Sequence, residues 1–98
     1  IILTLSEKYE KYGEKVLNKM KINEIRALID NRNETIGKKI RNAQLKKYPY
    51  MLIIGEKEMK DDVVSVRSTN DGDLGTLTTE TFIQKLSAEI KNSYSFEV

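Results

Sequence analysis

Apolar positions along this chain fall into short runs, and the spacing inside each run predicts its element. Ile1–Leu5 is apolar apart from Thr4 and predicts a buried strand. Ser6 is placed to cap a helix, and Glu7 is favoured in its first turn by the helix dipole. Tyr9, Tyr12, Val16, Leu17 and Met20 then recur at helical spacing, so residues 7–21 predict an amphipathic helix. Gly13 falls on the same face, where a missing side chain permits close approach to a sheet. Ile25–Ile29 predicts a second strand and Asp30–Glu34 a polar loop. Thr35 can cap a helix over 36–46 with Ile36, Ile40 and Ala43 on its inner stripe, which leaves Leu45 on the opposite side.

Pro49 cannot continue that helix and marks entry to the next strand. Tyr50–Ile54 is the most apolar run and predicts the central strand. Gly55–Asp62 reads as a turn, and Val63–Arg67 as a strand antiparallel to Tyr50–Ile54 because the connection is short. Ser68–Gly72 is a turn signal, and Asp73–Leu77 reads as a weak edge strand. Thr78 can cap a last helix with Phe82, Ile83, Leu86 and Ile90 inside, while Asn92–Val98 shows no clear pattern. The order is βαβαβββα. The first three strands alternate with helices and should be parallel, with antiparallel neighbours added later. The expectation is a three-layer α/β domain with a mixed five-stranded sheet flanked by three helices.

Composition bounds this picture. The 98 residues suffice for one small domain, and the chain is 39% hydrophobic and 33% charged, as in ordinary globular proteins. No apolar run reaches the length of a membrane span, so no membrane partner is expected. The start at Ile1–Ile2 reads like the inside of a strand, so residues 1–98 are expected to be a single domain from a longer protein. Cysteine is absent, which fits a reducing compartment, and a cytoplasmic setting is expected. Histidine is absent too, which excludes a His-based triad and makes a zinc site improbable. The net charge is only +2, but Lys38, Lys39, Arg41, Lys46 and Lys47 crowd one stretch with no acidic residue between them. Such a stretch is compatible with RNA and is also common on a solvated helix face.

Side chains able to do chemistry are few. Gly37 and Gly55 match no phosphate-binding glycine motif and read as a packing and a turn glycine. Asp61–Asp62 and Asp71 with Asp73 lack cation-loop spacing and read as solvated turns. Asp30, just after a strand, is placed either for function or for bracing the following loop. The segment with Arg32, Asn33, Thr35, Lys38 and Arg41 carries the planar, multiply hydrogen-bonding groups that recognition of unpaired bases requires. Arg67 at a strand end and Glu58 before that strand could join it at one sheet edge. Surface ion pairing between Glu58 and an arginine is the competing reading.

One run carries a family resemblance. Arg32–Asn33–Glu34 is followed by I-G-x-K-I-R at Ile36–Arg41, A-Q-L at Ala43–Leu45, P-Y-M-L at Pro49–Leu52 and G-E-K-E at Gly55–Glu58. V-S-V-R at Val64–Arg67 and D-L-G-T at Asp73–Thr76 come further on. In order and spacing this resembles the C-terminal anticodon-binding domain of threonyl-tRNA synthetases, a class II family, and more loosely the likeness covers nearly the whole chain. The resemblance implies the mixed five-stranded fold shared by several class II synthetases and a partner in the anticodon stem-loop of threonine tRNA. Carried over by position, the anticodon-binding candidates are Asn33, Thr35, Arg41, Glu58 and Arg67, with Lys38, Lys39, Lys46 and Lys47 as candidate phosphate contacts. Thr35 departs from the family, which usually has Lys there, and a hydroxyl cannot replace a point charge near phosphate. Lys38 stands where an aromatic residue is frequent.

The resemblance also implies what lies elsewhere. The class II motifs and the threonine-selecting zinc site belong upstream, so this segment should carry no catalytic residue, metal or cofactor. The parent should be an ATP-dependent threonine–tRNA ligase that uses magnesium and zinc and dimerises through its catalytic domain; the segment itself should be monomeric. The alternatives are the related prolyl, glycyl and histidyl synthetase domains, a synthetase-derived non-catalytic accessory protein, and a small α/β enzyme or signalling domain of flavodoxin-like type. The last would need a carboxylate cluster or phosphate loop at the strand ends, and neither is evident.

Overall fold

The computed structural model describes the backbone of residues 1–95 and side chains through residue 89. Strand β1 (Ile2–Thr4) leads through a 3-10 turn (Glu7–Tyr9) into helix α1 (Glu10–Ile22), with Ser6 Oγ accepting from the Lys8 amide as the expected cap. Strand β2 (Ile29–Asp30), helix α2 (Ile36–Leu45), strand β3 (Tyr50–Ile54) and a short helix α3 (Glu56–Asp61) follow. Strands β4 (Val63–Ser68) and β5 (Gly72–Thr78) and helix α4 (Thr79–Ser95) complete the chain. The five strands form one mixed sheet in the order β2-β1-β3-β4-β5. β1 is parallel to both β2 and β3, while β3–β4 and β4–β5 are antiparallel. The predicted architecture, with Tyr50–Ile54 at the centre, is the one observed.

Three local readings change. The Gly55–Asp62 segment is not merely a turn, because residues 56–61 form α3, a fourth helix beside the expected three. The second strand shrinks from 25–29 to Ile29–Asp30. Ile25 is taken up in closing α1: its amide bonds to the Met20 carbonyl at 2.9 Å and the Glu24 amide to Lys21 at 3.0 Å, with Glu24 left-handed at φ 59. This is a Schellman closure whose apolar contact is the buried Ile25–Met20 pair. α2 ends the same way through Lys47 (φ 60) and Tyr48, so Leu45 is the last helical residue and stands 75% exposed. Finally, α4 runs to Ser95 and takes in the first part of the expected tail; residues 96–98 and the side chain of Ile90 lie outside the described residues.

Alternation along the strands divides the core in two. On one face Ile2, Leu52, Ile54, Val64 and Val66 pack with Tyr12, Val16 and Met20 of α1 and Phe82 and Ile83 of α4. Gly13 lets α1 approach: a Cβ there would lie 2.8 Å from Ile29 Cδ1. On the other face the cluster is small, with Leu3, Met51 and Ala43 of α2 flanked by half-buried Ile36, Ile40, Tyr48 and Ile53.

Candidate nucleic-acid interface

Register places Met51 opposite Arg67 and Ile53 opposite Ser65, so Ser65 and Arg67 project on the α2 face of the sheet. α2 lies against β1 and α3 against β4 and β3. β5 has exposed Asp73, Thr76 and Thr78 on this side. The α2 face is therefore covered by α2 over its parallel half and by α3 at β3 and β4, and it is open over β5.

Glu58 sits within α3, 8% exposed. Its Oε1 accepts from the Gly55 amide at 2.8 Å and its Oε2 from the Ser65 hydroxyl at 3.1 Å. The first bond is half of a capping box, in which the third helical residue reaches back to the cap amide. Leu5 covers this turn so closely that a Cβ on Gly55 would meet its Cδ1 at 2.1 Å. The ion pair between Glu58 and an arginine does not form. Each carboxylate oxygen keeps one of its two acceptor positions unused.

Arg67 is half-buried and makes no ion pair or side-chain hydrogen bond among the described residues, and its Nε is fully buried without an acceptor. A buried donor left unsatisfied costs about 1–3 kcal/mol. The opposing Asp73 is turned to its own strand, where Oδ1 accepts from the Gly75 amide at 2.8 Å.

The loop before α2 is braced by Asp30. Its Oδ1 accepts from Arg32 Nε at 2.9 Å and from the Arg32 amide at 3.2 Å, and its Oδ2 from the far guanidinium nitrogen at 2.9 Å. These bonds hold the buried Asp30 carboxyl below its ordinary value, against the opposing effect of burial. Asp30 thus takes the bracing role, and Arg32 is committed to it. Asn33 is exposed with no side-chain bond among the described residues. Thr35 Oγ1 accepts from the Lys38 amide at 3.3 Å, which makes Thr35 the N-cap. Lys38 reaches Glu34 at 3.6 Å on the surface.

Lys39 requires a correction. It is 2% exposed, and its Nζ donates to the Thr4 carbonyl at 2.8 Å, so it does not offer a charge to an RNA phosphate. β2 ends opposite Leu3, and Lys39 supplies the donor that the next β2 residue would have given to Thr4. Helical spacing places residue 39 on the inner stripe with 36, 40 and 43; its charge hid that. Arg41, Lys46 and Lys47 are exposed and without ion partners among the described residues. The structure thus gathers Asn33, Thr35 and Lys38 at the start of α2, sets Glu58 beside the Ser65–Arg67 row, and leaves Arg41 on the outer side of α2. Ser65 was missed from sequence. The available signal was its place two residues before Arg67, hence on the same face.

No helix among the described residues is long and apolar enough to cross a membrane. No cluster of three or more His, Cys, Asp or Glu suited to a metal occurs among them either. Asp62 faces Lys15 at 3.8 Å instead. These residues do not fit the zinc that the resemblance assigns to the parent protein.

Fold and site together define an α/β domain with one sheet face packed by α1 and α4 and one partly open face that carries an arginine without an ion partner among the described residues. Residues 1–89 match the anticodon-binding-domain family, and the chain belongs to it. It is 50% identical over 92 residues to a threonine–tRNA ligase of Bacteroides fragilis, covering 94% of this chain and 14% of that protein. It is 53% identical over 95 residues to the corresponding Flavobacterium johnsoniae ligase, covering 95% of this chain and 15% of that protein. The chain therefore spans about a seventh of the length of these relatives. The RNA binding domain of threonyl-tRNA synthetase from Cryptosporidium parvum superposes with a TM-score of 0.83 at 35% identity, covering 89% of this chain and 22% of that one. Prolyl-tRNA synthetase of the same organism shares the fold at 18% identity, with a TM-score of 0.82 over 93% of this chain and 20% of its own.

Proposed function

We propose that this domain grips the anticodon stem-loop of threonine tRNA for a parent threonine–tRNA ligase, with Arg67, Glu58, Arg41, Asn33 and Thr35 at the loop bases and Lys38, Lys46 and Lys47 near phosphates. The observation that carries the reading is Arg67. Its side chain projects on the same sheet face as Ser65, which holds the Glu58 carboxylate, and it has no carboxylate partner among the described residues. Donor-rich Arg67 and acceptor-only Glu58 offer an unpaired base the two complementary halves of edge recognition. Family membership and the level of identity to threonine–tRNA ligases support threonine over proline as the parent's specificity. Aminoacylation with ATP, magnesium and zinc belongs to the rest of the parent, which is dimeric and cytoplasmic; the segment on its own is a monomer.

Titration with two RNAs tests this, one with the threonine anticodon and one with altered anticodon bases, at several salt concentrations. Arg67→Ala or Arg41→Ala should cost about 1–3 kcal/mol for the first RNA and less for the second. Replacing Lys46 and Lys47 together should weaken both about equally and flatten the logarithmic salt slope by roughly two units. Equal losses on both RNAs for the arginine variants would make them phosphate clamps or structural residues. Threonine-dependent pyrophosphate exchange by this chain alone would refute the division of labour.

A further inference from the structure

We propose that Ser65 is a positioning residue for base discrimination, acting through Glu58. The inference rests on the anticodon-binding reading above. Glu58 is held at both oxygens, by the Gly55 amide at 2.8 Å and by the Ser65 hydroxyl at 3.1 Å. One bond alone would leave the carboxylate free to turn about it. Two bonds from different elements, the α3 cap and β4, fix its plane. Each oxygen keeps an unused acceptor position, in a plane that is set before RNA arrives. Ser65 and Arg67 are two residues apart on one face, so their Cα atoms lie about 7 Å apart. The Ser65 hydroxyl therefore ties the acceptor Glu58 to the strand that carries the donor Arg67. A change in the tilt of α3 cannot alter the spacing of acceptor and donor while this bond holds. Base-edge recognition depends on that spacing, because hydrogen bonds weaken steeply with misalignment. Backbone and phosphate contacts tolerate it.

The same logic accounts for a polar residue on this strand. Val64 and Val66 fill the other face, where a hydroxyl would be buried without a partner. Ser65 lies opposite Ile53 of β3, and it carries a hydroxyl whose hydrogen-bond acceptor is Glu58.

A matched pair of variants tests the inference, because Ser65→Thr keeps the hydroxyl and Ser65→Val is nearly the same shape without it. Both are β-branched and suit a strand. The 98-residue chain and both variants are titrated with the threonine anticodon stem-loop and with one of altered anticodon bases. Ser65→Thr should keep the wild-type preference between the two RNAs. Ser65→Val should lose about five- to tenfold of that preference, the worth of one ordinary hydrogen bond, mainly on the first RNA. Adding Glu58→Ala, which removes every side-chain partner for the residue-65 hydroxyl, should bring the Thr and Val proteins to the same preference. A Val variant that weakens both RNAs equally, or that matches the Thr variant, overturns the inference while the anticodon reading stands. A wild-type chain with no preference overturns both.

Discussion

The two faces of the sheet are built from one set of strands and end up with opposite properties. On the α1–α4 side, Val64 and Val66 of β4 meet Leu52 of β3 and the aromatic edge of Phe82 against Tyr50, centroids 5.5 Å apart. On the α2 side, the intervening residues of the same strand are Ser65 and Arg67, and only Leu3, Ala43 and Met51 form a fully buried apolar cluster. The crowded face supplies cohesion. The sparse face is left with Arg67 Nε unsatisfied and Glu58 pinned, an arrangement that costs stability and suits an incoming partner. The difference shows that a small domain can confine its unsatisfied groups to one side when the other side carries most of the burial.

Phe82→Ala should produce the largest effect, a loss of about 3–5 kcal/mol in urea unfolding, because it opens a cavity on the crowded face. A loss under 1 kcal/mol would mean that the crowded face is not the main source of stability. Arg67→Met tests the sparse face. It removes the orphan donor while keeping the apolar stem, so stability should stay level or rise by up to about 1 kcal/mol while discrimination between the two stem-loops falls. A clear loss of stability would show that the Arg67 guanidinium is satisfied within the fold.

The smallest effect is expected at Asp30→Asn, and it depends on pH. The Asp30 carboxyl is held below 3.8, so its contribution is complete above that value and fades as pH falls through the lowered folded-state value. The urea midpoint of Asp30→Asn should lie below wild type at about pH 7, and the gap should narrow at about pH 3. A gap independent of pH would assign the effect to loop geometry and not to the carboxylate charge.

Much of this molecule was legible in its sequence. Helical spacing located α1, α2 and α4, the caps Ser6 and Thr35 fell where side-chain oxygens meet orphan amides, and the parallel-then-antiparallel order followed from connection lengths. The motif run marked Asn33, Thr35, Arg41, Glu58 and Arg67 but not Ser65, although strand alternation puts residue 65 on the face of Arg67. The sequence could not say where each polar group would spend its hydrogen bonds. Lys39 is a surface charge by type and a buried donor to Thr4 by position, because β2 is too short to supply that bond. Ile25 looks like a strand residue and instead closes α1, since a left-handed Glu24 turns the chain so that the Ile25 amide donates to the Met20 carbonyl. Glu58 could have paired with any arginine; α3 and β4 bring Gly55 and Ser65 to it and leave Arg67 without a partner among the described residues. Local pattern sets which residues point inward, because it depends on periods of two and 3.6. Partner choice among polar groups depends on contacts between residues far apart in the chain, and those exist only after the layers have packed.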